Sequence, residues 1–291
     1  MLLEVARRLP FALRVELRRL ARLPSRLLET PQSARDFVEE GEVARFAHLL
    51  AEQRSPLRRF PGAEEALQLG KERNVALAAR RLDRLLIGPH QLLSYHRIVG
   101  RPSRLRGFRP GLELHDGRPQ AGIGGGCCQV SNLLYQLALH GGMRVIERHR
   151  HGLDLFEDHR RSVPFGCGAT VFYNYRDLRF ENPLPQPVLL RIEVVGGQLF
   201  GQLRTPEPVG FVVEVYETDH RFYRHEGQWM RENRIRRRFS RRDGTLILDQ
   251  QVAHNVARVL YEPRPGAVGE PGCFIGPSAR PAGARGPGLA A

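Results

Sequence analysis

The sequence predicts an α+β domain: an antiparallel sheet packed against one central helix, preceded by N-terminal helices and followed by a C-terminal β-meander. Three observations carry this expectation. Val130, Leu133, Leu134, Leu137 and Ala138 recur at helical spacing, so one stripe of a helix is apolar. Beyond residue 187, apolar and polar residues alternate in short runs broken at Gly196-Gly197 and Asp243-Gly244, the punctuation of hairpins. Just ahead of that helix, Gly124, Gly125 and Gly126 run directly into its first turn.

Composition bounds the rest. A chain of 291 residues with 41% hydrophobic content supports one main body with extensions. Lys and Arg outnumber Asp and Glu 45 to 31, a formal charge of +14 that suits polyanions or anionic headgroups. Nucleic acid is not expected, because no zinc-finger, RNP-type or basic-zipper pattern is present. Cys127, Cys128, Cys167 and Cys273 lack the spacing of a small secreted scaffold and read as free thiols. No export signal or membrane span is legible, which points to the cytoplasm or the inner membrane surface.

Taken in order, residues 1–50 read as a basic helical arm and a second short polar helix. Leu9, Leu13, Leu17 and Leu20 lie at helical spacing among arginines; docking on the body is the first expectation, and peripheral contact with an anionic membrane is the second. Residues 51–206 read as the core domain, with the main body starting near Ser55, and 207–263 as its C-terminal β extension. Residues 264–291 are rich in Gly, Pro and Ala and are expected to be disordered. Within the core, residues 64–86 read as helix and 110–120 as a hairpin turning at Asp116-Gly117. "TVFYNYRDLRF" reads as a strand with one face buried, its tyrosines expected first to pack in the core and, as the alternative, to stack on sugar rings of a glycan. "VLLRIEVVGG", "QLFGQLRT" and "FVVEVYET" read as successive antiparallel strands of a meander, and "RRFSRRDGTLILDQQVAHNVARVLYEP" as a further hairpin around Asp243-Gly244 whose charge run is a solvated edge.

The chemistry concentrates around the glycine run. A P-loop needs lysine and a hydroxyl residue where this chain has cysteine and glutamine, so phosphate binding is disfavoured. Cys128 falls in the first helical turn, where unpaired N–H groups and the helix dipole stabilise a thiolate. Ser131, Asn132 and Tyr135 share its ridge. The strand "MRVIERHRHG" places Glu147, His149 and His151 on one face, opposite Arg148 and Arg150. Cysteine at a helix start followed by histidine on a neighbouring strand is the arrangement of thiol hydrolases and acyl transferases. His151 is the candidate base, with Glu147, Asp154 or Asp177 as orienting group and Gln129 as oxyanion donor. The bland alternative makes Cys128 a small packing residue and the histidines structural partners. No cofactor is expected, and no metal, since paired Cys-x-x-Cys or His-Glu-x-x-His spacings are missing.

"GIGGGCCQVSNLLYQLAL", "ERHRHGLDLFED" and "PFGCGATVFYNYRDLRFEN" resemble the signature segments of the VanW family. The matching residues are Gly124, Gly125, Gly126, Cys128, Gln129, Ser131 and Tyr135 in the first segment and Glu147, Arg148 and His151 in the second. In the third, Asp177 and Asn182 match, whereas Gly168 stands where many relatives have aspartate. The resemblance implies a cell-envelope context and a cell-wall peptide or glycopeptide as partner. A Cys128–His151 pair acting on an amide of a peptidoglycan stem peptide is one expectation. A non-catalytic module binding cell-wall glycopeptide or another anionic envelope component is the other.

Overall fold

The computed structural model describes residues 10–28, 32–58, 64–115, 118–150, 152–155, 157–158 and 164–263. The Asp116-Gly117 turn, His151, Leu9, Cys273 and the tail from 264 lie outside these residues. In chain order the elements are helices α1 (Phe11–Ala21) and α2 (Leu23–Leu28), a 3-10 segment at Glu40–Arg45, strand β1 (His48–Pro56) and helix α3 (Glu65–Leu82). Strands β2 (Leu86–Ile87) and β3 (Leu92–Ser94), short helix α4 (Tyr95–Val99), and strands β4 (Pro110–His115) and β5 (Arg118–Ile123) follow. Next come helix α5 (Cys127–His140) and strands β6 (Arg144–Glu147), β7 (Leu153–Asp154), β8 (Arg179–Glu181), β9 (Val188–Val195) and β10 (Gln198–Thr205). The last elements among the described residues are β11 (Val212–His225), β12 (Gln228–Ser240) and β13 (Leu246–Val259).

The predicted apolar stripe of α5 is buried, with Val130, Leu134, Leu137 and Ala138 fully inaccessible. It lies on the first sheet, ordered β1-β10-β9-β2. Gly201 of β10 permits the close approach: a Cβ there would stand 2.6 Å from Leu133 Cδ2. Leu190, Ile192, Leu199 and Leu203 complete this interface, and α3 adds Val75, Ala78, Ala79 and Leu82 to the same core. The sequence places the start of the body near Ser55, whereas β1 enters this sheet at His48 and pairs with β10 along its length.

Three expectations change. The C-terminal β-meander is present as β11-β12-β13, but it does not continue from the strands before it: β9 and β10 pair across Gly196-Gly197 in the first sheet, while β11 opens a second sheet ordered β11-β12-β13-β7. Pro206, Pro208 and Gly210 interrupt between them, and proline cannot continue the hydrogen-bond ladder. The charge run is a solvated edge only in part: Arg241 and Arg242 are exposed at the turn, whereas Arg237 and Arg238 belong to β12, the central strand between β11 and β13. The period-two alternation of β12 sends Arg231 and Arg237 inward, with Arg234, Arg236 and Arg238 on the opposite face against Asp219, Asp249 and Glu214. Finally, "TVFYNYRDLRF" is strand only at Arg179–Glu181; Phe172–Arg176 is a tight turn closed by reciprocal Phe172 and Arg176 backbone hydrogen bonds of 2.8 Å. Asn174 there takes φ 52°, a left-handed conformation that asparagine tolerates.

Candidate functional site

The glycine run is a packing device before it is anything else. Gly124 and Gly126 have φ of 87° and 100°, so both need the left-handed conformation. Gly125 faces Gly111 of β4 so closely that a Cβ would lie 2.2 Å from the Gly111 carbonyl oxygen. Asn74 of α3 locks the contact: its Nδ2 donates to Arg109 O and Gly125 O, each at 2.9 Å, and its Oδ1 accepts from Arg109 N at 2.8 Å. Lys71, the single lysine of the sequence, is buried one turn earlier, with Nζ donating to Leu57 O at 2.5 Å and its stem against Gly126. Neither Asn74 nor Lys71 figures in the sequence reading. The available signal was their position on the stripe of a helix that continues as Val75, Ala78, Ala79 and Leu82.

Beyond the glycines, the second ridge of α5 meets an extended segment at residues 166–171. Cys128 Sγ donates to Val171 O at 3.8 Å, and Ser131 Oγ to Ala169 O at 2.7 Å. Asn132 Oδ1 accepts from Ala169 N at 2.7 Å, and Gln136 Nε2 donates to Cys167 O. The match is geometric. Four helical residues rise about 6 Å, close to the roughly 6.7 Å that two extended residues span. Each helical turn therefore meets the next odd-numbered carbonyl. Two even-numbered carbonyls go to Arg148, which donates through Nε to Gly168 O at 2.9 Å and through Nη2 to Gly166 O, and stacks 4.9 Å from the Tyr135 ring centroid. Thr170 N adds a bond to His149 O at 2.8 Å. The three signature segments thus form one laminate, with 166–171 held between α5 and Arg148. The polar ridge is correspondingly buried at Ser131 and Tyr135.

The remaining candidates have partners of their own. Gln129 Nε2 reaches Pro56 O at 2.7 Å and Ser55 Oγ at 2.8 Å, tying the end of β1 to the start of α5. Glu147 Oε1 accepts from Asp177 N at 3.1 Å and lies 3.0 Å from His149 Nε2, while its Oε2 accepts from Arg179 Nη1 at 3.5 Å. Asp177 accepts from Ser94 Oγ at 2.5 Å and His96 N at 3.0 Å, anchoring the first turn of α4. Asp154 pairs with Arg231 at 3.3 Å. Asn182 donates to Ile87 O and Gln186 O, each at 2.9 Å. Gly168 leaves room for Asn132, whose Oδ1 would lie 3.0 Å from a Cβ. Strand β6 ends at Glu147, so His149 follows it in irregular backbone, still hydrogen-bonded to Glu147.

Electrostatically, this environment favours neutral groups. Burial pushes the Cys128 thiol up, against the opposing effect of its contact with Val171 O. Burial also raises the Cys127 and Cys167 thiols and the Tyr135 phenol, each to about 12. On the far side of the first sheet, a cleft of about 240 Å³ opens among Phe46, Asp83, Arg191, Phe200 and Arg204. It is walled by groups already bound to one another: Arg191 Nε donates to Asp83 Oδ1 at 3.1 Å, and Arg204 Nε to Phe46 O at 2.7 Å.

A family profile described as VanW like protein matches residues 70–204. These residues are a VanW-like domain. The chain is 31% identical over 132 residues to the uncharacterized protein YoaR of Bacillus subtilis (strain 168), and 29% identical over 142 residues to the vancomycin B-type resistance protein VanW of Enterococcus faecalis (strain ATCC 700802 / V583). Those alignments take in 44% and 49% of this chain, and it spans 41% and 52% of the two relatives. No solved structure matches. The VanW-like domain holds the laminate, most of α3, β7 and most of β10, while β1 and strands β11, β12 and β13 lie outside the matched residues. Both outer parts nevertheless reach it: β1 through Gln129, and the second sheet through Asn255 Oδ1, which accepts from Arg148 Nη1 at 3.1 Å.

Proposed function

We propose that this chain is a non-catalytic binding module for cell-wall peptide or glycopeptide, with the turn Phe172–Arg176 as its contact surface. The observation that carries the reading is the laminate. It engages the signature polar groups in holding residues 166–171, and it delivers that segment, at the Cys128 end, into a surface turn rich in aromatic and basic residues. Phe172 and Arg176 are exposed there, and Tyr173 and Tyr175 are half-buried. Phe172 and Tyr175 pack edge to face at 6.2 Å, and His96 braces Tyr173 at 5.4 Å. Aromatic faces suit sugar rings and apolar peptide side chains, and arginine suits the carboxylates of a stem peptide. The likeness to a protein named for vancomycin resistance supports the envelope context. In this reading Cys128 is the last rung of the ladder that positions the turn.

Titration of the purified chain with a soluble disaccharide-peptide from peptidoglycan tests the proposal. Tyr173→Ala with Arg176→Ala is expected to weaken binding by about tenfold or more, with the thermal midpoint nearly unchanged. Equal affinity of the variant and the parent chain excludes the turn as the contact surface.

A further inference from the structure

The N-terminal arm presents an apolar face that the body does not cover. Leu13, Leu17 and Leu20 stand at i, i+4 and i+7 of α1, on one side of the helix, and are 45%, 46% and 58% exposed. Leu23 and Leu28 of α2 extend the exposed apolar surface. Among the described side chains of α1 and α2, the ties to the body are polar. Glu16 pairs with Arg101 at 3.1 Å, while Arg22 donates to Tyr175 O, stacks 5.4 Å from the Tyr175 ring and lies 3.8 Å from Glu147. By sequence, residues 10–28 carry arginine at 14, 18, 19, 22 and 26 against one acid, Glu16. Leucines on one face of an arginine-rich helix are complementary to one kind of surface in particular, a bilayer with anionic headgroups over hydrocarbon. No helix among the described residues is long and apolar enough to cross a membrane, so the contact would be parallel to the surface.

We infer that α1 docks the chain on an anionic phospholipid surface, with Leu13, Leu17 and Leu20 entering the headgroup boundary. The polar ties through Glu16 and Arg22 keep the helix on the body while its leucines face outward. This inference is independent of the ligand of the Phe172–Arg176 turn.

The experiment is co-sedimentation of the full chain with vesicles of phosphatidylcholine alone and of phosphatidylcholine mixed with phosphatidylglycerol. A net charge of +14 retains some protein on any anionic vesicle, so the decisive variant keeps charge constant: Leu13→Gln with Leu17→Gln and Leu20→Gln. The expected result is binding to the mixed vesicles that weakens about tenfold or more in the triple variant, with its circular dichroism and thermal unfolding retained. A second variant, Leu17→Trp in a Trp229→Phe background, is expected to shift its fluorescence to the blue on the mixed vesicles only. Equal binding of the parent chain and triple variant, or an unshifted emission from the Leu17→Trp variant, overturns the inference. So does a parent dimer that the triple variant dissociates without any change in vesicle binding, since a second copy would then be what covers the leucines.

Discussion

At the residue scale, Cys128 shows how position in a helix and environment compete. A first-turn cysteine has the dipole in its favour as a thiolate, yet burial works in the other direction and prevails here. Iodoacetamide labelling of Cys128, in a chain with Cys127, Cys167 and Cys273 replaced, is therefore expected to be slower at neutral pH than that of a free thiol. Its rate should rise only above the ordinary thiol range; rapid labelling below pH 7 would contradict this. His140 provides a second titration. Burial holds its imidazole down to about 4 in the fold. The unfolded chain, with an ordinary histidine pKa near 6.5, takes up a proton as pH falls while the folded chain does not. Stability is thus fully present above about pH 6.5 and declines towards pH 4, by on the order of 2 kcal/mol after solvent screening. Urea titrations across that window should show the decline, and His140→Gln should remove this part of it.

At the element scale, the laminate explains why polar residues share a ridge of α5. The apolar stripe of α5 was legible because 3.6-residue periodicity reports burial directly. The use of the second ridge was not, since hydrogen-bonding to an extended segment leaves the same polar pattern as exposure to solvent. The turn at Phe172–Arg176 resembles a strand in sequence for a related reason: its aromatic alternation mimics a pleat, and only Asn174 hints at the reversal. The laminate makes a specific prediction. Asn132→Ala leaves the Ala169 amide without its partner and should cost about 1–3 kcal/mol in chemical denaturation, whereas Gln120→Ala on the exposed face of β5 should cost almost nothing. Gly125→Ala should be worse than either single loss at the glycine turn would suggest, because the added methyl meets the Gly111 backbone at 2.2 Å. A cost of about 3 kcal/mol or more is expected; a near-neutral result would mean the β4–β5 hairpin yields easily.

At the scale of the whole molecule, the second sheet secures the end of α5. Arg237 of β12 is buried and donates through Nη1 to Met143 O at 2.8 Å and Leu139 O at 3.4 Å, placing a cation at the negative end of the helix. Burial lowers its pKa to about 10, so it remains charged at neutral pH. Asn255, meanwhile, links Arg148 to Asn233, which bonds Glu217 at 2.6 Å. A fragment ending at residue 206 is therefore expected to unfold at lower urea concentration, with a broader transition, than the full chain. The sequence alone placed residues 207–263 next to the core, but a strand dense in arginine concealed that its alternate members point inward.

In the proposed reading, the laminate positions a binding turn and leaves its ligand unaltered. Incubating the full chain and its Cys128→Ala variant with the same soluble disaccharide-peptide tests both halves of that statement, with affinity measured by calorimetry and the ligand recovered for mass spectrometry. Saturable binding of similar strength by both proteins is expected, with the ligand recovered at its original mass. Cleavage or transfer of the peptide by the parent chain, lost in Cys128→Ala, would contradict it and make Cys128 a nucleophile.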